Sequence, residues 1–282
     1  MKLFSIKKTP HKTNNIIYNS PHSGENFPRD FFSSTLIDKH TLLCSGDSFI
    51  DELYSEAANN GSILLSNNYC RSFMDTNREP YELDPNMFSG DITIPLNSDS
   101  SKVKMGYGSI ARYAHTRKDI YKQKILFSEA QKRIDEFYFP VHNMLDQLLN
   151  EEFDTYGYSL LVDCHSMPSY EFLGHPDVKH KQADIILGNL HGTSCNAAIT
   201  NYIIRHFRKY DLSVSQNAPF AGGYNTQNYS DPAKNRHAIQ IEIKKSLYMD
   251  EVLRKPNQYF EPLKTIISSL TDHLAKDINS LI

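Results

Sequence analysis

"SLLVDCHS", Ser159 to Ser166, decides the fold. Leu160, Leu161 and Val162 make a short unbroken apolar run, which reads as a strand covered on both faces. Such strands belong to parallel sheets. The run then emerges into Asp163, Cys164 and His165, three side chains with chemistry. Four more stretches read the same way: "NIIYNS" (15–20), "SILLSNNY" (62–69), "ADIILGN" (183–189) and "HAIQIEIK" (237–244). Helical patterns lie between and after them. "SFIDELYSEAANNG" (48–61) is expected to be a helix ending at Gly61. Residues 116–153 form a long helical stretch that Pro140 must kink or split. Ile199, Ile203 and Phe207 recur at four-residue spacing in 195–210, and Leu263, Ile266, Ile267, Leu270, Leu274, Ile278 and Leu281 form a C-terminal stripe. Strands alternating with helices imply an α/β fold, a mostly parallel sheet flanked by helices, in a single domain over residues 1–282.

In such sheets, ligands bind beyond the carboxyl ends of the strands. That makes His22, Arg71, Asp163, His165 and Glu242 candidates, because each ends or follows an expected strand. The least regular segment, 79–107, is expected as a loop beside the site.

Composition narrows the partners. The 282 residues carry 30 basic and 33 acidic groups, a net charge of −3. Nucleic-acid and membrane-surface proteins need a concentrated basic face, so neither partner is expected. No run approaches the ~18 apolar residues of a membrane span. The N-terminal residues show no apolar leader with a cleavage site. Cys44, Cys70, Cys164 and Cys195 are widely spaced with no CxxC pair. Reduced thiols and a cytoplasmic location are the simplest reading. A chain of this length buries enough surface without a structural metal, so a metal here is expected to be functional.

His22 and Glu25, in "PHSGENFP", stand three apart in what reads as a turn entering a helix, and such a pair can share one ion. The alternative is an ordinary surface turn. His165, at the exit of its strand, is a second imidazole, with a satisfied core histidine as its alternative. Asp163 is placed to accept a hydrogen bond from a liganding histidine and fix its tautomer. Cys164 alternates with both and faces the other way, as a buried small hydrophobe. "CRSFMDTNREP" (70–80) sets Arg71 and Arg78 around Asp75 and Asn77. Arginine forks suit substrate carboxylates, but the same residues also make internal ion pairs. Gly222 and Gly223 allow close backbone approach to a ligand. Glu242 is an isolated carboxylate in an apolar alternation, and reads either as a general base or as a salt-bridge partner.

Taken in order, "PHSGENFP", "DSFIDELY", "CRSFMDTNR", "FYFPVHNMLDQLL", "LLVDCHSMPS", "NAPFAGGY" and "HAIQIEIKKSLYMDE" resemble the N-formylglutamate amidohydrolase family. The resemblance runs from about residue 15 to residue 251. It implies a phosphorylase/hydrolase-like α/β fold akin to zinc carboxypeptidases and the zinc-dependent hydrolysis of a linear amide. It makes His22 and His165 metal ligands and Glu242 the proton shuttle. Arg71, Asn77 and Arg78 become substrate-binding residues. Zn2+ or another divalent metal is the implied cofactor. Glu25 is the third ligand by analogy with the carboxypeptidase His-x-x-Glu, and Asp47, opening "DSFIDELY", is its rival. Asn189 stands where members often carry an acid. The implied substrate is a small acidic N-acyl amino acid such as N-formyl-L-glutamate, giving formate and L-glutamate. The alternatives are hydrolysis of another N-acyl amino acid or a C-terminal peptide residue, and a catalytically silent ligand-binding homologue.

Overall fold

The computed structural model describes residues 2–151, 153–170, 172–173 and 182–282. Two compact units divide the chain. The larger holds Ile6–Ser20, Phe49–Leu65 and Asp146–Ile282, and the smaller holds Met1–Ser5, Pro21–Ser48 and Ser66–Leu145.

Seven strands form the main sheet: β1 (Phe4–Lys7), β2 (Ile16–Ser20), β3 (Ile63–Asn67), β4 (Ser159–Met167), β5 (Ile185–Gly188), β6 (Val214–Gln216) and β7 (Arg236–Lys244). Their order is β1-β3-β2-β4-β7-β5-β6. β2 runs parallel to β4, and β4 to β7, while β5 is antiparallel to β7 and parallel to β6. The mostly parallel sheet expected from the apolar runs is therefore present.

Alternation along the central strands separates two faces. Ile16, Tyr18, Leu160, Val162, Cys164, Ile239, Ile241 and Ile243 join one buried apolar cluster. Ile199, Ile203 and Phe207 of the Ala197–Arg208 helix and Leu263, Ile267, Leu270 and Leu274 of the Phe260–Asp277 helix complete it. Truncating any of these leucines or isoleucines to alanine costs about 2–5 kcal/mol. Asn196 caps the first helix, its Oδ1 accepting the N–H groups of Ala198 and Ile199 at 2.6 and 3.1 Å. The opposite face carries Asn19, Asp163, His165, Gln240 and Glu242 near the carboxyl ends of the strands.

The smaller unit is held by aromatic rings. Phe31 stacks on Phe27 at 5.0 Å, and Phe137 packs edge-on against Tyr69 and Phe73 at 4.9 Å. The Arg133 guanidinium lies 4.7 Å from the Phe73 ring centre and is tied to Glu129 and Tyr121.

Two helical expectations are corrected. Residues 48–61 fold only as a turn of α-helix, Ile50–Leu53, and a 3₁₀ turn, Ser55–Ala57. Ile50, Leu53, Tyr54 and Ala57 do share one buried face, but the backbone at Tyr54 leaves helical geometry. In 116–153, helix begins only at Phe127. Before it, Tyr113 pairs with nearby Asp119, and Tyr121 with distant Thr35, so backbone pairing overrides local helix propensity. The helix then widens into a π turn over Ile134–Tyr138 and resumes as Phe139–Asn150. Pro140 sits at the second position of that resumed segment, and the Phe139 N–H reaches back five residues to the Ile134 carbonyl. Glu152 lies outside the described residues. No described helix is long and apolar enough to cross a membrane.

Candidate metal and catalytic site

The polar face of the sheet is built by register. Pairing of β2, β4 and β7 sets Asn19, Asp163 and Gln240 in one row, and His165 beside Glu242 in the next. His165 Nε2 donates to Asp163 Oδ2 at 2.8 Å, so Nδ1 is the ring nitrogen not engaged by that carboxylate. Asn19 and Asn225 amides donate to Asp163 Oδ1 at 2.7 and 3.2 Å. Asp163 thus fixes the histidine's tautomer and is itself fixed. Glu242 is 7% exposed, and its Oε1 accepts the Gln240 Nε2–H at 2.8 Å. Cys164 faces the apolar layer. Burial and then the Asp163 charge push its thiol well above the ordinary range, so it stays protonated and is no nucleophile.

His22 follows the end of β2. Its Nε2 meets Asp75 Oδ1 at 2.7 Å, and its Nδ1 lies 3.3 Å from Asp47 Oδ2. Asp75 also takes Arg71 through Nε and Nη2 at 3.1 and 2.6 Å, the Asn77 backbone N–H at 2.9 Å, and Arg78 Nη2 at 3.8 Å. Burial raises its pKa, but Arg71, His22 and Arg78 together outweigh that and hold the carboxyl well below the usual range. Arg78 further donates to the Tyr107 and Asn77 carbonyls, while Tyr138 and His142 pin the carbonyls of Arg78 and Thr76. Internal Asp–Arg pairing, one of the two readings of this loop, is present.

His22, Asp47 and His165 form a buried group. Each offers one ligand atom, and these atoms lie within 4.8 Å of one another, so the group can hold a metal ion. Glu25 is exposed and is not part of it. The reason is local geometry. The 24–26 stretch is not a turn entering a helix but an extended segment, with Asn26 bridged to Tyr69 and hydrogen-bonded to Asn68 and Cys70. A Cβ on Gly24 would fall 2.4 Å from the Asn68 carbonyl carbon, so only glycine lets the segment lie this close.

Gly222 makes its close approach to protein. Its φ is +137°, and a Cβ there would sit 2.9 Å from Leu190 Cδ2. Gly223 donates its N–H to Thr226 Oγ1 at 3.2 Å. Asn189 is a loop clamp, its Oδ1 accepting Gly192 N–H and Asn217 Nδ2–H, both at 2.9 Å. Two roles were missed from sequence. Asp75 was read with its arginines alone, yet it also anchors His22. Gln240, to which the sequence reading gives no role, holds Glu242. The signal for Gln240 was its place two residues before Glu242 in the alternation.

An N-formylglutamate deformylase of Pseudomonas putida is 26% identical over 255 residues, covering 88% of this chain and 86% of that protein. Its counterpart from Pseudomonas aeruginosa is 25% identical over 243 residues, covering 84% and 82%. The crystal structure of N-formylglutamate amidohydrolase from Ralstonia eutropha JMP134 superposes with a TM-score of 0.92 at 28% identity, covering 99% of each chain. The family model for N-formylglutamate amidohydrolase matches residues 14–249, and with nearly the whole sheet and every residue of the His22–Asp47–His165 group inside that match, the chain belongs to the N-formylglutamate amidohydrolase family.

Proposed function

We propose that this protein hydrolyses the N-acyl bond of an acidic amino acid, with N-formyl-L-glutamate giving formate and L-glutamate, and that one divalent ion, zinc, serves the reaction. The observation that carries this reading is the buried His22–Asp47–His165 group, with Glu242 as the cross-strand neighbour of His165. The donor set fits such an ion: two imidazoles and one carboxylate are borderline ligands typical of catalytic zinc. Each imidazole has its Nε2 tied to a carboxylate, Asp75 or Asp163, which aims Nδ1 and raises its basicity. When bound, the ion lowers the pKa of a water towards ~7 and polarises the acyl oxygen.

Glu242 does the proton work. Gln240 holds one of its oxygens, and the carboxylate takes the proton of the attacking water. It then returns that proton to the departing nitrogen, which is too basic to leave as an anion. Arg71, Arg78 and the Asn77 loop take the substrate's α-carboxylate. Supporting this, Arg71 and Arg78 both lie at Asp75, within 2.6 and 3.8 Å, in the loop that carries Asn77. None of the four cysteines forms a disulfide, in keeping with the cytoplasm as the compartment.

The test is Glu242→Gln, assayed for N-formyl-L-glutamate turnover and bound zinc. The variant is expected to keep its zinc and its KM but lose about 10²–10⁴-fold in kcat. Near-normal kcat removes Glu242 from the mechanism. Absence of bound zinc from an active wild type removes the metal.

A further inference from the structure

Lys102 is a half-buried cation on the short Ser101–Lys104 helix, within the segment expected as an irregular loop. Ser100 caps this helix, accepting the Val103 N–H at 3.0 Å and giving its own hydroxyl to Glu82. The Tyr107 N–H donates to the Lys102 carbonyl at 2.8 Å, and the Tyr107 carbonyl accepts Arg78 Nε–H at 2.9 Å. The Tyr107 peptide therefore ties the Lys102 main chain to the Arg78 guanidinium.

The charges facing Lys102 are Arg78, Arg71, Asp75 and Glu82. Neither acid satisfies it. Asp75 is shared by Arg71, Arg78, His22 and the Asn77 N–H, and Glu82 accepts from Ser100. The ammonium makes no hydrogen bond or ion pair with a described residue. Burial, then Arg78 and Arg71, pull its pKa below the ordinary lysine range. A half-buried ammonium set beside two guanidiniums is unfavourable unless an anion joins it. The exposed Lys104, by contrast, has its ion pair with Asp99 in water.

Asp75 links the candidate ligand His22 to Arg71 and Arg78, and the Tyr107 peptide links Arg78 to Lys102. We propose that Lys102 binds the distal, side-chain carboxylate of a dicarboxylic N-acyl amino acid, while the Arg71–Arg78 pair takes the carboxylate nearer the scissile bond. This rests on the hydrolytic reading above and names the residue that makes it selective for an acidic side chain. A compact ammonium reads charge, not planar shape, so Lys102 distinguishes glutamate from glutamine.

The experiment measures kcat/KM for N-formyl-L-glutamate and N-formyl-L-glutamine in wild type, Lys102→Met and Lys102→Arg, with glutarate binding by calorimetry. Lys102→Met is expected to lower kcat/KM for the glutamate substrate about 10–100-fold, mostly through KM, as loss of one charge-assisted hydrogen bond predicts. The glutamine substrate should change by no more than about threefold, which also shows that the variant is folded. Glutarate binding should weaken in parallel, and Lys102→Arg should recover part of the preference. Equal losses on both substrates, or an unchanged preference, overturn the assignment. Should the wild type hydrolyse neither substrate, glutarate decides: binding that depends on Lys102 upholds the subsite while refuting the reaction, and binding indifferent to Lys102 refutes both.

Discussion

At the scale of the residue, His237 shows how far burial alone sets behaviour. It opens the apolar alternation of β7 and is 2% exposed, and neither ring nitrogen has a hydrogen-bond partner among the described residues. Burial lowers its pKa below the ordinary value of 6.5. The sign follows. As pH falls below about 6.5, the unfolded chain takes up a proton that the folded chain still refuses, so stability falls with falling pH. His206, also lowered first by burial, acts in the same direction. His237→Leu removes one share of this acid sensitivity. Guanidinium midpoints of wild type and variant at pH 7.5 and 5.0 are expected to diverge in the variant's favour at the lower pH. A gap that does not change with pH would show that His237 is not the group titrating.

At the scale of the element, the π turn before Pro140 decides between two roles for that proline. Inside an unbroken α-helix, a proline costs about 3 kcal/mol, through a lost hydrogen bond and a clash. Here the ladder has already widened where Phe139 N–H reaches Ile134. Tertiary contacts hold that turn: Tyr138 hydroxyl donates to the Arg78 carbonyl at 2.6 Å, and its ring stacks on His142 at 4.1 Å. Pro140 then sits unstrained and mainly restricts the unfolded chain. Pro140→Ala is expected to destabilise the protein by about 0.4–1 kcal/mol in a denaturant titration. A gain in stability would mean instead that the proline strains the helix.

At the scale of the whole molecule, the candidate ligands come from residues far apart in the chain, so the site exists only in the folded protein. A metal bound there stabilises the native state by mass action, about 2.7 kcal/mol at a hundredfold excess over Kd. Dialysis against a chelator is expected to lower Tm, and added zinc to restore it. That zinc-dependent rise should vanish in Asp47→Ala and persist in Glu25→Ala. The reverse pattern would return Glu25 to the site.

Local pattern alone was enough for five of the seven strands of the main sheet, but not for the short edge strands Phe4–Lys7 and Val214–Gln216. Apolar runs and period-two alternation are properties of consecutive residues, so Asp163, His165 and Glu242 were legible as strand-exit groups, and Cys164 as their apolar opposite. The sequence by itself also determined the class of fold, because such runs alternating with helical stripes bury their faces in few other ways. Tertiary structure decided what depends on distant segments meeting. Register between β4 and β7, made by backbone hydrogen bonds that no side-chain pattern encodes, set Glu242 beside His165. Pairing of the 24–26 stretch with residues 68–70 turned an apparent His-x-x-Glu pair into an extended segment, so that Asp47, not Glu25, stands with His22. The loop carrying Arg71, Asp75 and Arg78 acquired its role only when Asp75 reached His22, because a buried carboxylate is settled by the charges that folding brings to it.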